Sequence, residues 1–177
     1  MKKTYLLDTN IVSEFVKEKP DEQVINFYNA RKDLCAISSV TWQEIIRGVS
    51  RMPEGKRKNT LKSFVNDLDL NMEVITFDKF SAQICGEIQA AAEKNGKKVP
   101  YYDSQIAATA VSNGMVLVTH NISDFEQFKE KSFLRLEDWF SAYIRKSFIT
   151  IFLRIFTKYQ KRNLTFTIIC NILHICR

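Results

Sequence analysis

Short apolar runs alternate with amphipathic stretches along the first 140 residues. Tyr5-Leu6-Leu7 runs into Asp8-Thr9-Asn10, after which Ile11, Phe15 and Val16 recur at helical spacing, a strand feeding a helix through a polar turn. Cys35-Ala36-Ile37 repeats the theme, followed by Ser38-Ser39 and a helix with Trp42, Ile45, Ile46 and Val49 on one face. Met52-Pro53-Glu54-Gly55 breaks that helix, and a basic helix over 56–70 follows. Glu73-Val74-Ile75-Thr76 reads as a third strand and 78–95 as a long helix ended by Gly96, with a loop from Lys97 to Tyr102. Residues 103–113 form a patterned helix closed by Asn113-Gly114, and Met115-Val116-Leu117-Val118-Thr119 reads as a buried strand. Phe133-Leu134-Arg135-Leu136 predicts a last strand, with a terminal helix around Trp139.

Strands that are continuously apolar, rather than alternating, are buried on both faces. Interleaved with helices, they predict an α/β fold with a parallel sheet covered on each side. Such sheets bind ligands at the carboxyl ends of their strands, near a reversal of strand order. The chemistry therefore depends on which polar residues follow the strands.

Four acids do. Asp8 directly follows the first strand, where it also suits a helix N-cap. Asp103 has Ile106, Ala107, Ala110 and Val111 at i+3, i+4, i+7 and i+8, which puts it on the buried stripe of a close-packed, alanine-rich helix. A carboxylate there must be paired, capped or bound to a cation, although its first-turn position gains from the helix dipole. Glu44 points away from the Trp42 face, and Thr41-Trp42-Gln43-Glu44 also reads as a capping box. Asp124 follows the strand ending at Thr119 and suits a cap with Gln127 as its partner. Together the four fall towards one sheet edge, where they would repel one another without a cation. Oxygen-only donors suit Mg²⁺ or Mn²⁺, and such a site supports displacement at phosphorus.

Composition narrows the reading less than it first promises. Apolar residues make up 45% and charged residues 26%, ordinary for a globular protein. The net charge of +6 belongs to the end of the chain: residues 1–140 hold 19 Lys and Arg against 20 Asp and Glu, while 141–177 hold seven basic residues and no acid. The four cysteines form no CxxC pair and there are two histidines, which argues against a zinc site. Cys35 and Cys85 sit in apolar runs and read as small hydrophobes. The start of the chain reads as a strand rather than a secretory signal, so the expectation is a cytoplasmic protein.

Four segments carry a resemblance: Leu7-Asp8-Thr9-Asn10, Trp42-Gln43-Glu44-Ile45-Ile46-Arg47-Gly48, Asp103-Ser104-Gln105-Ile106-Ala107-Ala108-Thr109-Ala110, and Thr119-His120-Asn121-Ile122-Ser123-Asp124-Phe125. In order and spacing, over roughly residues 4–139, they resemble the motifs of PIN-domain nucleases, in particular the VapC/FitB-type toxins of type II toxin–antitoxin systems. The resemblance implies a PIN-like doubly wound parallel sheet flanked by helices, Mg²⁺-dependent cleavage of RNA, homodimerisation, and inhibition by a cognate antitoxin. It makes Asp8 and Asp103 the metal-binding aspartates and adds Glu44 and Asp124 to the catalytic set. Thr9 or Asn10 would orient Asp8, and Asn121 matches a polar residue of the same loop. His120 departs from the pattern, standing where relatives often have arginine.

RNA needs basic groups near an acidic pocket. Arg47, Arg51, Lys56, Arg57, Lys58 and Lys62 form the densest cluster. Lys97 and Lys98 with Tyr101 and Tyr102, just before Asp103, are the preferred substrate contacts, since aromatics beside lysines suit unpaired bases. A non-catalytic PIN-like binding module is the alternative, disfavoured because all four acids are present. An aspartyl-phosphate phosphatase would need a second aspartate where Asn10 stands.

The domain is expected to end near Phe140, leaving 141–177 as a basic, apolar extension without Gly, Pro or acid. Its apolar stretches, Phe148–Leu153 and Leu164–Cys176, are too short or interrupted for an integral membrane span. A basic amphipathic membrane-surface segment is the alternative reading; the composition fits a frameshifted or read-through extension of AT-rich DNA better.

Overall fold

The computed structural model describes residues 2–96, 100–129 and 132–140; the expectations for 141–177, and for Lys97 and Lys98, lie outside the described residues. Five short strands form one parallel sheet: β1 (Tyr5–Leu7), β2 (Cys35–Ser38), β3 (Glu73–Ile75), β4 (Val116–Val118) and β5 (Arg135–Glu137), in the order β3-β2-β1-β4-β5. The chain steps outward from β1 to β3, then returns across the sheet to β4. The order therefore reverses between β1 and β4.

The continuous apolar runs are explained by burial on both faces. Leu6, Ala36 and Leu117 pack into one core with Ile106, Ala107 and Phe125. Leu7, Ile37 and Val118 face the opposite core with Ile11, Val24 and Trp139. Burying one such aliphatic side chain is worth about 1.5–3 kcal/mol, so a strand of three residues is held by its packing more than by its ladder. Cys35 and Cys85 are both buried free thiols, as expected, and burial pushes the Cys35 thiol up to about 12.

The helices are α1 (Thr9–Glu14), α2 (Glu22–Arg31), α3 (Ser39–Ser50), α4 (Lys56–Asn71), α5 (Lys79–Lys94), α6 (Tyr101–Ser112) and α7 (Ile122–Lys129). Several boundaries differ from the sequence expectation for identifiable reasons. The helix after Asn10 stops at Glu14. Buried Glu14 accepts from the Asp21 N–H (2.9 Å) and from Lys17, fixing the turn into α2, which Asp21 caps. The capping box at Thr41–Glu44 does not form, because Ser38 at the end of β2 caps α3 instead by accepting from the Thr41 N–H at 2.9 Å. Trp42 and Ile45 pack on the core while Ile46 remains 38% exposed. Residues 101 and 102 belong to α6 and not to the preceding loop. The expected helix around Trp139 is absent from residues 138–140; that segment turns on Asp138, which accepts from the Phe140 N–H at 2.9 Å.

Alanine lets α6 run close beneath its neighbours, with Ala107, Ala108 and Ala110 fully buried. Its polar groups are paired across to α5: Gln89 donates to Ser104 Oγ at 2.8 Å, and the Ser81 and Ser112 hydroxyls are 2.8 Å apart. This packing fixes the end of α6 that bears Asp103. Among the described residues no helix is long and apolar enough to cross a membrane.

Candidate active site

Asp8 leaves β1 at the point where the strand order reverses. Its N–H donates to the Val118 carbonyl at 3.0 Å, continuing the ladder one residue beyond the strand. The residue is 6% exposed, and both of its carboxylate oxygens accept hydrogen bonds. Oδ1 accepts from the Thr9 N–H at 2.7 Å; Oδ2 accepts from Asn10 Nδ2 at 2.7 Å and from the Thr119 hydroxyl at 2.8 Å. Asp8 thus caps α1, as its place after the first strand suggests, while lying at the centre of a polar cluster.

The Thr119 hydroxyl also accepts from Asn10 Nδ2 at 3.1 Å and from the Asn121 N–H at 3.0 Å. Asn121 therefore enters through its backbone. Sequence reasoning does not single out Thr119 as a site residue, although its place is a signal: a polar residue ending an apolar strand, as Asp8 ends β1. Thr9 contributes its hydroxyl to Glu44 Oε2 at 2.6 Å, tying α1 to α3. Glu44 is thus a cross-helix acceptor and not a capping residue.

Asp103 sits in the first turn of α6, half-buried, and Asp124 in the first turn of α7, exposed. The latter is no N-cap: its N–H donates to the Asn121 carbonyl at 3.0 Å, and Gln127 reaches its backbone carbonyl at 2.9 Å. Electrostatics connects the four acids. Asp103 is pushed up to about 6, first by burial, then by the charges of Asp8, Asp124 and Glu44. Asp8 is raised as well, by burial and by the Glu44 charge, against the hydrogen bonds from Thr119, Thr9 and Asn10. Carboxylates that raise one another in this way are crowded anions.

The donor set bears on which cation fits. Among the described residues no three His, Cys, Asp or Glu side chains converge into a metal cage, the arrangement a structural zinc requires. The acids that electrostatics connects offer oxygen donors alone, the kind a hard cation takes with one or two carboxylates and several waters.

The crowding has a cost. Between the ordinary carboxylate value of 3.8 and about 6, folded Asp103 holds a proton that the unfolded chain has released. Stability therefore falls as pH rises through that window. In chelator, Asp103→Asn should be more stable than the unaltered chain near neutral pH by ~1 kcal/mol, after discounting for solvent screening of a half-exposed group. The advantage should vanish below about pH 4, where the carboxylate is protonated in both states. Denaturation curves across pH check this, and a variant less stable at neutral pH would contradict it.

The basic cluster is partly dismantled by the structure. Lys58 is buried, donating to Glu54 at 2.6 Å and to the Met52 carbonyl at 2.9 Å, and so closes the α3–α4 turn. Lys62 lies 3.8 Å from Glu54. Arg47, Arg51, Lys56 and Arg57 remain exposed. Tyr101 is 64% exposed at the start of α6, edge-on to Tyr102, which packs against the core.

A parallel sheet whose strand order reverses beside an aspartate after β1, with a second aspartate that feels the charges of three other acids, defines a class, and the PIN domain family matches residues 5–131: the chain belongs to that family. Its relatives include proteins named VapC and the toxin FitB. It is 36% identical over 137 residues to the tRNA(fMet)-specific endonuclease VapC of Shigella flexneri, covering 76% of this chain and 97% of that protein. It is 30% identical over 125 residues to toxin FitB of Neisseria gonorrhoeae, covering 68% and 89%. Among solved structures, DNA-bound VapBC from Salmonella typhimurium superposes with a TM-score of 0.66 at 32% identity, covering 78% of this chain and 99% of that one.

Proposed function

We propose that the chain is a metal-dependent endoribonuclease acting as the toxin of a type II toxin–antitoxin pair. The observation that carries this reading is that half-buried Asp103 feels the charges of Asp8, Asp124 and Glu44, with Asp8 leaving the sheet where its strand order reverses. The names of the relatives support it: an endonuclease acting on a transfer RNA, and a toxin. The solved VapBC complex supports a cognate antitoxin as partner. Homodimerisation and a cytoplasmic location belong to the same proposal.

Mg²⁺, or Mn²⁺ in its place, would be held by Asp8 and Asp103. When bound, such an ion supplies positive charge for phosphate oxygens and acidifies a water. The chain's own residues do the positioning. Thr119 and Asn10 hold Asp8 in one rotamer, and Thr9 does the same for Glu44. Asp124, exposed on the rim, completes the negative field. Tyr101 offers an aromatic face to an unpaired base beside the carboxylates, with Lys97 and Lys98 as the adjoining cations of the same substrate contact.

The test is cleavage of RNA by the purified chain with Mg²⁺, with EDTA, and with EDTA followed by excess Mg²⁺. Cleavage is expected in the first and third conditions only. Chelator-resistant cleavage, or none in any condition, overturns the proposal.

A further inference from the structure

We infer that His120, oriented by Asp138, contacts a phosphate of the substrate on the rim of the carboxylate site. The inference rests on the ribonuclease reading above and adds to it a residue pair outside the carboxylate set. β4 and β5 are parallel neighbours, and the Thr119 N–H donates to the Glu137 carbonyl at 2.9 Å. His120, one residue beyond Thr119, and Asp138, the first residue after β5, therefore emerge side by side at the edge where Asp8 lies. His120 Nδ1 is 3.0 Å from Asp138 Oδ2. A carboxylate only accepts, so Nδ1 carries the hydrogen.

The pair is asymmetric. The Asp138 side chain is 1% exposed and that of His120 is 48% exposed. The second Asp138 oxygen is occupied by the Phe140 N–H at 2.9 Å, so the carboxylate cannot swing away to solvent without losing both bonds. Phe140 also supports one face of the imidazole, with centroids 4.1 Å apart and planes at 34°. One edge and one face of the ring are thus fixed, and the edge left to solvent carries Nε2. The backbone completes the placement. The His120 N–H donates to Asn10 Oδ1 at 3.1 Å, and Asn10 Nδ2 donates to Asp8 Oδ2 at 2.7 Å. Two hydrogen bonds connect the histidine to the central carboxylate.

A half-exposed histidine can give its outer nitrogen to water, so what marks this one is its orientation, the ring being held by a buried anion and an aromatic face. Here one nitrogen is held by a buried anion while the other faces outward. A phosphate at Nε2 would leave an imidazolium between two anions, with each N–H donating to a negative oxygen. The need for such a donor is local. Residues 1–140 carry a net charge of −1, the site itself is acidic, and Lys58 is committed to its own turn. A phosphate must be met by a few rim groups, and this is one already oriented.

The test uses the full chain carrying Asp103→Asn, so that binding is read without cleavage, with unfractionated transfer RNA as probe. Adding His120→Gln should raise Kd about tenfold, the scale of one charged hydrogen bond. It should also make the slope of log K against log salt shallower by about 0.7–0.9, as expected when one fewer phosphate is neutralised. Adding His120→Arg instead should restore both affinity and slope. Asp138→Asn should weaken binding in the direction of the glutamine variant, with His120 present but its buried counter-charge gone. Three results would overturn the inference: a glutamine variant with its parent's affinity and slope, weakened binding with an unchanged slope, or a parent that does not bind. The ribonuclease reading fails by a different result, absence of chelator-sensitive cleavage by the unaltered chain.

Discussion

Asp103→Asn should reduce RNA cleavage on the order of a thousandfold, about 4 kcal/mol of transition-state stabilisation, while the protein stays folded. The reasoning combines position and packing. Asp103 lies on a helix locked by buried alanines and by the Ser104–Gln89 bond, so replacing one carboxylate oxygen by an amide nitrogen leaves the helix where it is. What disappears is the negative charge most strongly opposed by its surroundings, and with it half of the pair proposed to hold the metal. Asp8→Asn should be as inactive but is less clean. Oδ2 accepts from both Asn10 and Thr119, and an amide NH₂ there would face donors. Asn10 could turn to accept only by withdrawing its oxygen from the His120 N–H. Thr9→Val, which removes the hydroxyl holding Glu44, should lower activity by about 10–100-fold, the range for an orienting group. Single-turnover cleavage rates measured beside thermal melts check the series. Substantial activity in the Asp103 variant would sink the assignment of that residue.

The comparison of sequence and structure separates local signals from assembled ones. β1, β2 and β4 were legible because burial on both faces forces continuous apolar runs such as Tyr5-Leu6-Leu7 and Val116-Leu117-Val118. Asp103 was legible because a charge on an otherwise apolar helical stripe needs an explanation. α2 was not: among its residues only Val24 is fully buried, so it leaves little apolar period to read. The start of α3 is ambiguous in sequence because Ser38 and Thr41 are both competent caps, and only the geometry of the chain leaving β2 selects Ser38. Thr119 bonds a carboxylate 111 positions earlier, and His120 an aspartate 18 positions later. Both pairs exist because the sheet places β4 between β1 and β5, and nothing local in either residue announces its partner.

The second large effect is expected at the end of the domain, where Trp139→Ala should destabilise the fold by about 3–5 kcal/mol. Trp139 is 2% exposed. Its ring stacks on Phe27 with centroids 5.7 Å apart at 24°, meets Tyr5 edge-on at 5.4 Å, and donates its indole N–H to Glu137 at 3.0 Å. It therefore fastens the last described segment to β1 and to α2 at once. A domain of this size has a total stability of about 5–15 kcal/mol, so the loss should lower the melting midpoint by more than about 10 °C. Trp139→Phe, which keeps most of the apolar volume and loses the indole N–H, should cost less than about half as much. The same packing sets where the chain can be cut. A stop after Phe140 preserves Trp139, the Asp138–His120 pair and the aromatic backing of that histidine; a stop after Glu137 removes all three. The first truncation should melt with the full-length protein and cleave RNA as it does, consistent with an extension added to a finished domain. The second should fail to fold. A chain ending at Phe140 that melts well below the full-length protein would mean that residues beyond 140 belong to the domain, and would end the idea of a dispensable tail.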